Sequence, residues 1–310
     1  MSVGADFTSF EEAKELAERL EKGGVLPMFT SCCPAWVKFI EFYYSEFIPN
    51  LTSARSPQIM LGGLIKTYFA EKQGLDPKNI IIVSVMPCVS KKYEIKREEL
   101  KINGIQAVDY VLTTRELAFL FKKRDIDLVK IKPVKLDNPL GDPSGAGVIY
   151  GASGGVMESA LRVAYEIISG KKLESVDFKA MRGQEGIKKA EIKIGDRIIR
   201  VAVISGIGNA IKILEELKVN PRAYDYIEVM ACPGGCIGGG GQPIPIDKEI
   251  RKKRAESLYS IDKKKKIRSA LRNPILKNVY EEFLADEEKI KKIFHTKYFP
   301  KKREVNRSGI

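Results

Sequence analysis

The chain has 310 residues, 44% of them apolar, and its 53 basic and 40 acidic residues leave a formal net charge of +13. This length and composition predict a folded chain with a sizeable core and exclude a disordered protein. The sequence has no apolar run long enough to span a bilayer and no basic-then-apolar leader, so we expect a cytoplasmic location and no membrane span.

The charge and the cysteines narrow the function classes. A basic surface suits an acidic partner, which is a nucleic acid, an anionic membrane or an acidic protein, and composition does not choose among them. Five cysteines in a cytoplasmic chain favour metal binding or redox chemistry over disulfides, since an odd number cannot all pair.

The first predicted element is an amphipathic helix over residues 9–22, where apolar residues recur at helical spacing before two glycines. Glu12 and Glu15 lie three residues apart and Arg19 four further on, so all three share one side of this helix. Ser9 and Glu12 also fit a capping box, and the residues alone favour this structural role for Glu12.

Three predicted strands each lead to a cysteine. The runs at residues 25–29, 79–86 and 226–231 precede Cys32, Cys88 and Cys232, and the second resembles a parallel strand covered on both faces. Ligands gather at the carboxyl ends of strands in open α/β sheets, so we expect these cysteines to meet there. Because the side chains of adjacent cysteines diverge, one of the pair at residues 32–33 can bind metal while the other stays a free thiol.

Other elements complete an α/β pattern. Helices are predicted at residues 57–73, 115–124, 156–169 and 210–217, a strand at 107–114, and a hairpin at 190–194 and 197–204. The proline-containing stretch at residues 130–146 reads as a connection between two lobes. The glycine turn at residues 151–155 lacks a nucleotide-binding fingerprint, so we interpret it as tight packing or a wall of the metal pocket.

The chain becomes strongly basic beyond residue 243, but apolar residues at helical spacing predict that this tail packs against the body. His295 lies among lysines, and we expect a surface residue without a role.

Four thiols remain as candidate metal ligands at positions 33, 88, 232 and 236. They could bind zinc tetrahedrally or an iron–sulfur cluster. Only one pair is close in sequence, whereas structural zinc uses two short knuckles, so the spacing favours a bulky cluster. Consecutive glycines at residues 238–241 would let the backbone approach such a group closely.

Three segments carry a family resemblance: TSCCPAW at residues 30–36, MPCVSKKYE at residues 86–94 and EVMACPGGCIGGGGQP at residues 228–243. They resemble the three signature motifs of the iron-iron (FeFe) hydrogenases, in the same order and at similar separations. Weaker similarity, including SPQ at residues 56–58 and TTREL at residues 113–117, runs through almost all of the chain. The combination is highly specific because three cysteine motifs and their flanking residues must coincide.

The resemblance implies an H-cluster, which is a 4Fe-4S cubane linked to a di-iron site with carbon monoxide, cyanide and azadithiolate ligands. It implies that the cubane ligands are Cys33, Cys88, Cys232 and Cys236, the last also bridging to the di-iron unit. Cys32 would then exchange a proton with the bridging amine, and Lys91 would hydrogen-bond to a cyanide. The residues implied to line the pocket are Ser56, Pro57, Gln58, Met86, Pro87 and Met230.

The resemblance also implies a proton path from the free thiol through water to a glutamate, a hydroxyl, a second glutamate and the surface. These positions hold Glu12, Thr52 and Glu15, with Arg19 near the exit. Threonine replaces the commoner serine and keeps the hydroxyl. The resemblance therefore raises the relay interpretation of Glu12 above the capping interpretation, although one carboxylate could serve both.

The strand pattern and the resemblance together predict an α/β fold of two lobes, each a small, mostly parallel sheet flanked by helices, with the cluster in the cleft between them. We expect one catalytic domain over residues 1–310, with lobes near 1–140 and 141–246 and a basic helical extension at 247–310.

The resemblance implies several partners. The family usually carries ferredoxin-like cluster domains, whereas all five cysteines here lie in the three motifs, so we expect electrons from a separate, acidic, ferredoxin-like carrier. Hydrogenase maturation proteins would assemble the cofactor. Since the family's catalytic domain begins upstream of the position of Met1, we expect either a reduced enzyme or a partner subunit that completes the pocket wall.

Three function classes follow. The first is a hydrogenase that reversibly reduces protons to dihydrogen. The second is a non-catalytic, hydrogenase-like iron–sulfur assembly scaffold or sensor, but such relatives tend to lose Cys32 or Lys91, and both are present here. The third is a nucleic-acid-binding zinc protein, which rests only on net charge and a basic tail with few aromatic residues, so we expect no nucleic-acid partner.

Overall fold

A computed structural model describes residues 1–173 and 175–302 of the chain. In chain order its α-helices are α1 (Ser2–Lys22), α2 (Pro34–Tyr43), α3 (Pro57–Leu64), α4 (Ala70–Gln73), α5 (Ser90–Glu94), α6 (Thr114–Lys123), α7 (Gly145–Ile149), α8 (Gly155–Ser169), α9 (Ile207–Val219), α10 (Lys248–Lys264), α11 (Pro274–Glu282) and α12 (Glu287–Phe294). Its strands are β1 (Met28–Phe29), β2 (Val83–Met86), β3 (Tyr110–Thr113), β4 (Ile187–Ile194), β5 (Arg197–Ser205) and β6 (Tyr226–Met230). A π-helical turn joins α3 to α4, so the predicted helix at residues 57–73 is continuous.

Two sheets position the cysteine motifs. The larger has the strand order β1-β6-β5-β4, in which β6 pairs in parallel with both β1 and β5 while β4 and β5 form the predicted antiparallel hairpin. The smaller sheet pairs β2 with β3 in parallel. Helices pack against both sheets, which confirms the α/β class of small, mostly parallel sheets flanked by helices.

The start of the first helix differs from the prediction, and the capping box is wrong. Ser9 lies in the middle of α1, where its hydroxyl donates to the Ala5 carbonyl at 2.8 Å and lies 2.5 Å from the Ser159 hydroxyl. Small residues in the first turns let α1 approach α3: a Cβ on Gly4 would lie only 2.1 Å from the Pro57 carbonyl oxygen. Tertiary packing thus extends the helix beyond its periodic stretch.

The prediction of a strand covered on both faces at residues 79–86 is also wrong. β2 begins at Val83, which is 50% exposed, and Ile81 before it is 71% exposed. On the neighbouring strand Tyr110 is 61% exposed. One face of this two-stranded sheet therefore meets solvent, because an apolar run by itself does not show which faces have neighbours.

The C-terminal helices pack against the body, as predicted. Leu276, Val279 and Phe294 are buried in one core with Phe7 of α1. Residues 130–144 are irregular, which agrees with a connection there. The lobe boundaries stay a prediction, and residues 303–310 of the predicted extension lie outside the described residues. No helix in the described part of the chain is both long and apolar enough to cross a bilayer.

Candidate metal centre and proton path

The larger sheet brings two cysteine motifs to the same edge. Met28 of β1 lies opposite Tyr226 of β6 in parallel register, so the segments after both strands leave the sheet on one side. Cys32 and Cys33 follow β1, and Cys232 follows β6. The sequence prediction that cysteines lie beyond the carboxyl ends of parallel strands therefore agrees with the structure for these two motifs.

Cys88 follows the smaller sheet, and close contacts with glycines bring it beside the cysteines at the edge of the larger sheet. The carbonyl of Pro87, the residue after β2, accepts a hydrogen bond from the Gly241 amide at 3.0 Å. A Cβ on Gly239 would lie 2.1 Å from that same carbonyl oxygen, so any side chain there would push the two segments apart. The run of glycines thus holds Cys88 beside the motif that carries the last two cysteines.

The glycine turn before α8 forms a second wall behind this motif. The Gly151 carbonyl accepts a hydrogen bond from the Ile237 amide, and the Ser153 amide donates to the Gly234 carbonyl, both at 3.0 Å. A Cβ on Gly154 would lie 1.8 Å from the Met181 carbonyl oxygen. The turn is therefore tightly packed against the cysteine loop, as interpreted from the sequence.

The chemistry of the thiols fits an iron–sulfur group. All five cysteines are free, and burial followed by the charges of Cys33 and Cys88 raises the pKa of the Cys236 thiol. Burial also raises the pKa of Cys33 and of Cys232. Neighbouring thiols that oppose one another's ionisation become good ligands once a metal cation stabilises the thiolates. The described residues include no group of three or more His, Cys, Asp or Glu placed to hold a single metal ion.

A buried ion pair lies beside the thiols. The Lys91 ammonium donates to both Glu94 carboxylate oxygens, at 2.8 and 2.9 Å, and to the Cys32 carbonyl at 3.0 Å. Burial alone would lower the Lys91 pKa, but Glu94 outweighs it, and the pKa is raised. The Ser56 hydroxyl and the Gln58 amide also donate to Glu94, at 2.9 and 3.0 Å. Glu94, which sequence reasoning assigned no role, connects these predicted pocket residues; its position three after Lys91 was the available signal.

The other predicted pocket residues lie next to these groups in the chain or in the core. Pro57 begins α3 directly after Ser56, and Met86 and Pro87 lead into Cys88. Met230 packs in one buried cluster with Cys32.

The predicted proton path has a deep end and a surface end. Glu12 is fully buried, and burial, followed by the charges of Glu15 and Glu228, raises its pKa well above the usual value. At the surface end one Glu15 oxygen accepts from the Thr52 hydroxyl at 2.8 Å, and the other contacts the Arg19 guanidinium at 2.5 Å. Thr52, Glu15 and Arg19 are thus joined directly, and Glu12 lies one helical turn away from Glu15 on α1.

His295 is partly exposed and lines a cleft, but it makes side-chain contacts that the sequence did not predict. Its Nδ1 lies 2.8 Å from the Ser53 hydroxyl, its Nε2 lies 3.0 Å from a Glu11 oxygen, and its side chain is 20% exposed. The Ser53 hydroxyl is also 2.8 Å from Glu15. His295 therefore continues the hydrogen-bonded chain from Glu15 into a cleft of about 540 Å³. Only tertiary packing reveals this, because the histidine and its partners are distant in sequence.

Comparisons with known proteins agree with this architecture. Residues 1–240 match the family described as iron only hydrogenase large subunit, C-terminal domain, and residues 248–301 match the iron hydrogenase small subunit. The chain is 45% identical over 305 residues to Iron hydrogenase 1 of Clostridium pasteurianum, covering 96% of this chain and 53% of that protein. It is 34% identical over 307 residues to cytosolic iron-sulfur assembly component 3 of Rattus norvegicus, covering 94% of this chain and 64% of that protein.

The fold of the chain is also similar to that of a solved hydrogenase structure. The apo FeFe-hydrogenase of Chlamydomonas reinhardtii superposes with a TM-score of 0.84 at 38% identity, covering 96% of this chain and 83% of that one. The chain spans about half the length of the clostridial relative.

Proposed function

Because the chain belongs to the iron-only hydrogenase family, as its three cysteine motifs predicted, we propose that it catalyses the reversible reduction of protons to dihydrogen at an H-cluster. The observation that carries this proposal is the packing of the three motifs against one another, through hydrogen bonds from Gly241 to Pro87 and from Val229 to Thr30. Burial, together with the charges of neighbouring cysteines, raises the pKa of Cys33, Cys232 and Cys236, and Cys32 lies beside a buried lysine that donates to its carbonyl.

The chain's own thiols would hold the cofactor. Cys33, Cys88, Cys232 and Cys236 would hold its iron–sulfur cubane. When bound, the H-cluster supplies an open iron position at which two protons and two electrons combine. The tightly packed glycine loops would shape the pocket and exclude water from it.

Cys32 is the proposed proton donor and acceptor. Its thiol is buried, and burial followed by the nearby Glu12 charge raises its pKa, so the thiol keeps its proton at rest. A thiol that holds its proton at neutral pH can deliver it to a base and recover it from Glu12. Glu12, Thr52 and Glu15 would then carry protons between Cys32 and the surface.

Lys91 is the proposed hydrogen-bond donor to the cofactor. The Glu94 carboxylate keeps the ammonium charged in its buried position, and Ser56 and Gln58 hold that carboxylate in turn. A fixed positive charge beside the thiols would favour an anionic group in the pocket.

An acidic, ferredoxin-like carrier is the proposed electron donor. The net charge of +13 would attract such a protein, and α10, with exposed Lys252 and Lys253, lies against the cysteine loop. Its Arg254 donates to the Ile237 carbonyl at 2.8 Å, directly after Cys236. The cytoplasmic location, the maturation proteins and an additional wall-forming subunit stay predictions.

A non-catalytic iron–sulfur assembly protein is the second candidate. The specific observation in its favour is the 34% identity to the rat protein named cytosolic iron-sulfur assembly component 3. A scaffold would bind a cluster but would need neither a buried free thiol beside it nor a carboxylate relay. The presence of Cys32, Lys91 and the Thr52–Glu15–Arg19 chain supports the hydrogenase.

The test is an anaerobic hydrogen-production assay. The full chain is matured, its iron content is measured, and a small artificial reductant supplies electrons. We expect hydrogen release from the matured chain and none from the same chain that has not been matured. A chain that carries a full complement of iron and releases no hydrogen would support the assembly protein instead.

A further inference from the structure

Glu12 belongs to a group of buried polar side chains that the relay does not account for. Both Glu12 carboxyl oxygens and the hydroxyls of Tyr150 and Tyr226 have no hydrogen-bond partner among the described residues. Glu12 and Tyr226 have no exposed surface, and Tyr150 is only 9% exposed. An unsatisfied buried polar atom costs about 1–3 kcal/mol, so folded proteins almost always pair such atoms with protein or ordered water.

Three separate elements bring these groups together. Glu12 lies on α1, Tyr150 directly follows α7, and Tyr226 begins β6. Tyr226 packs in one buried core with Ala13, the residue after Glu12, and Tyr150 packs in one buried cluster with Cys32. Burial, followed by the charge of Glu12, raises the pKa of both tyrosine hydroxyls, so both tyrosines lie close enough to the carboxyl to be affected by its charge.

We propose that Tyr150 and Tyr226 hold ordered water against the Glu12 carboxyl and fix that carboxyl between Cys32 and Glu15. A buried water needs two to four polar partners, which two hydroxyls, a carboxyl and a thiol provide. Phenol hydroxyls in this site stay protonated, since burial raises the pKa of both tyrosines. They can therefore donate to water or carboxylate without taking up the proton that passes.

The two tyrosines are positioning residues rather than catalytic ones. This inference rests on the proposed function only for the role of Glu12 in proton transfer. The arrangement of Glu12 and the two tyrosines is present in the chain without its cofactor. Tyrosine-to-phenylalanine changes remove the hydroxyls and keep the packed rings. Tyr259 provides a matched control, since its hydroxyl is also buried without a partner but its ring lies beside Arg182 at 4.3 Å.

The experiment is infrared spectroscopy of the full chain without its cofactor, at a pH where Glu12 is protonated. The carboxylic-acid stretch of Glu12 is identified as the band that disappears in Glu12→Gln. We expect this band at higher wavenumber in Tyr150→Phe and in Tyr226→Phe, furthest shifted in the double variant, and unchanged in Tyr259→Phe. An unchanged band in the double variant, or no band lost in Glu12→Gln, would overturn the inference.

Turnover gives an independent second measurement. In the matured enzyme the double variant should turn over about fivefold more slowly, the equivalent of one lost hydrogen bond, with unchanged iron content. Because the infrared band needs no metal, failure of the proposed hydrogenase activity would leave that part of the test intact. Full turnover together with an unshifted band would mean that the hydroxyls do not position Glu12.

Discussion

At Glu12 a buried carboxyl lowers the stability of the fold while it fits a proposed role in proton transfer. With Ser9 in mid-helix, Glu12 caps nothing, and its carboxyl is buried without a protein hydrogen-bond partner among the described residues. Such a group reduces stability when it ionises, because burial disfavours the charged form. A buried titratable group that reduces stability and does not cap a helix is typical of a functional site. This supports the proposed role of Glu12 in proton transfer.

Replacing Glu12 should therefore change the pH dependence of stability. Its raised native pKa means that the folded chain binds this proton more tightly than the unfolded chain does. Stability then falls as pH rises above the unfolded value near 4.3, by about 1.4 kcal/mol per pH unit, until the native pKa is reached. In Glu12→Gln this loss of stability is absent. The free energy of unfolding of the variant, relative to that of the parent chain, should therefore increase as pH rises.

Urea unfolding of the unloaded full chain between about pH 4 and pH 8 measures this difference. Glu18→Gln, on the exposed side of α1, controls for the loss of one acidic charge. A stability difference between Glu12→Gln and the parent chain that stays constant with pH would contradict the buried, proton-binding carboxyl.

Cys32 should be needed for turnover and not for loading. Cys32→Ala removes the proposed proton donor and leaves the four proposed ligands in place. We expect unchanged iron content and a fall in hydrogen production of about 10²-fold or more, the usual contribution of a positioned acid–base group. Iron analysis and the hydrogen assay on the same sample measure both. Unchanged turnover would remove Cys32 from the mechanism.

At the scale of elements, the C-terminal helices pack beside the surface end of the proposed relay. Phe294 of α12 packs against Phe7 with the two rings tilted, Tyr280 of α11 hydrogen-bonds to Glu11, and His295 follows α12 directly. Residues 248–301 match the iron hydrogenase small subunit. This C-terminal segment thus packs on α1 and brings the His295 imidazole to the Glu15 end of the proposed path.

Removing this histidine should slow proton delivery without blocking it. In His295→Gln, Ser53 loses its imidazole partner, while the direct exit past Arg19 remains, so we expect turnover to fall by less than about tenfold. Lys297→Gln, in the same cleft, is the matched control. For both variants and the parent chain, the rate of hydrogen production is measured in water and in deuterium oxide, and the solvent isotope effects are compared. Equal rates and equal isotope effects would show that His295 lies outside the proton route.

Local sequence predicted most elements and the ends of the strands. Strand position, glycine content and cysteine placement are local signals, which is why the cysteine edge and the β4–β5 hairpin were predictable. The extended start of α1, the open face of β2 and the partners of His295 depend on neighbours far along the chain. Periodicity shows that a face is apolar, but it does not show what covers the face.

Within the candidate site the same division holds. The predicted pocket residues Ser56 and Gln58 and the predicted hydrogen-bond donor Lys91 all contact Glu94, which lies within a motif but had no predicted role. Tyr150 and Tyr226 read as ordinary apolar residues of their segments. The proximity of their hydroxyls to Glu12 depends on how three separate elements pack, so the sequence alone did not indicate it.

At the scale of the whole molecule, the excess of positive charge predicts how the proposed acidic electron carrier would bind. Rates of reduction by an acidic carrier protein should fall steeply as salt rises from about 0.01 to 0.3 M, because exposed charges are then screened. A small neutral reductant is the control and should show little salt dependence. Stopped-flow reduction measures both. Carrier rates that do not change with salt would mean that the lysines only solvate the surface.

The central claim is that all three motifs build one site for an H-cluster rather than for a plain iron–sulfur cluster. The most direct measurement is the infrared spectrum of the matured full chain, because only metal-bound carbon monoxide and cyanide absorb in their spectral window. We expect both sets of bands in the matured chain and neither in the unmatured chain. An iron-loaded, matured chain without these bands would contradict the account and identify the site as a simple cluster scaffold.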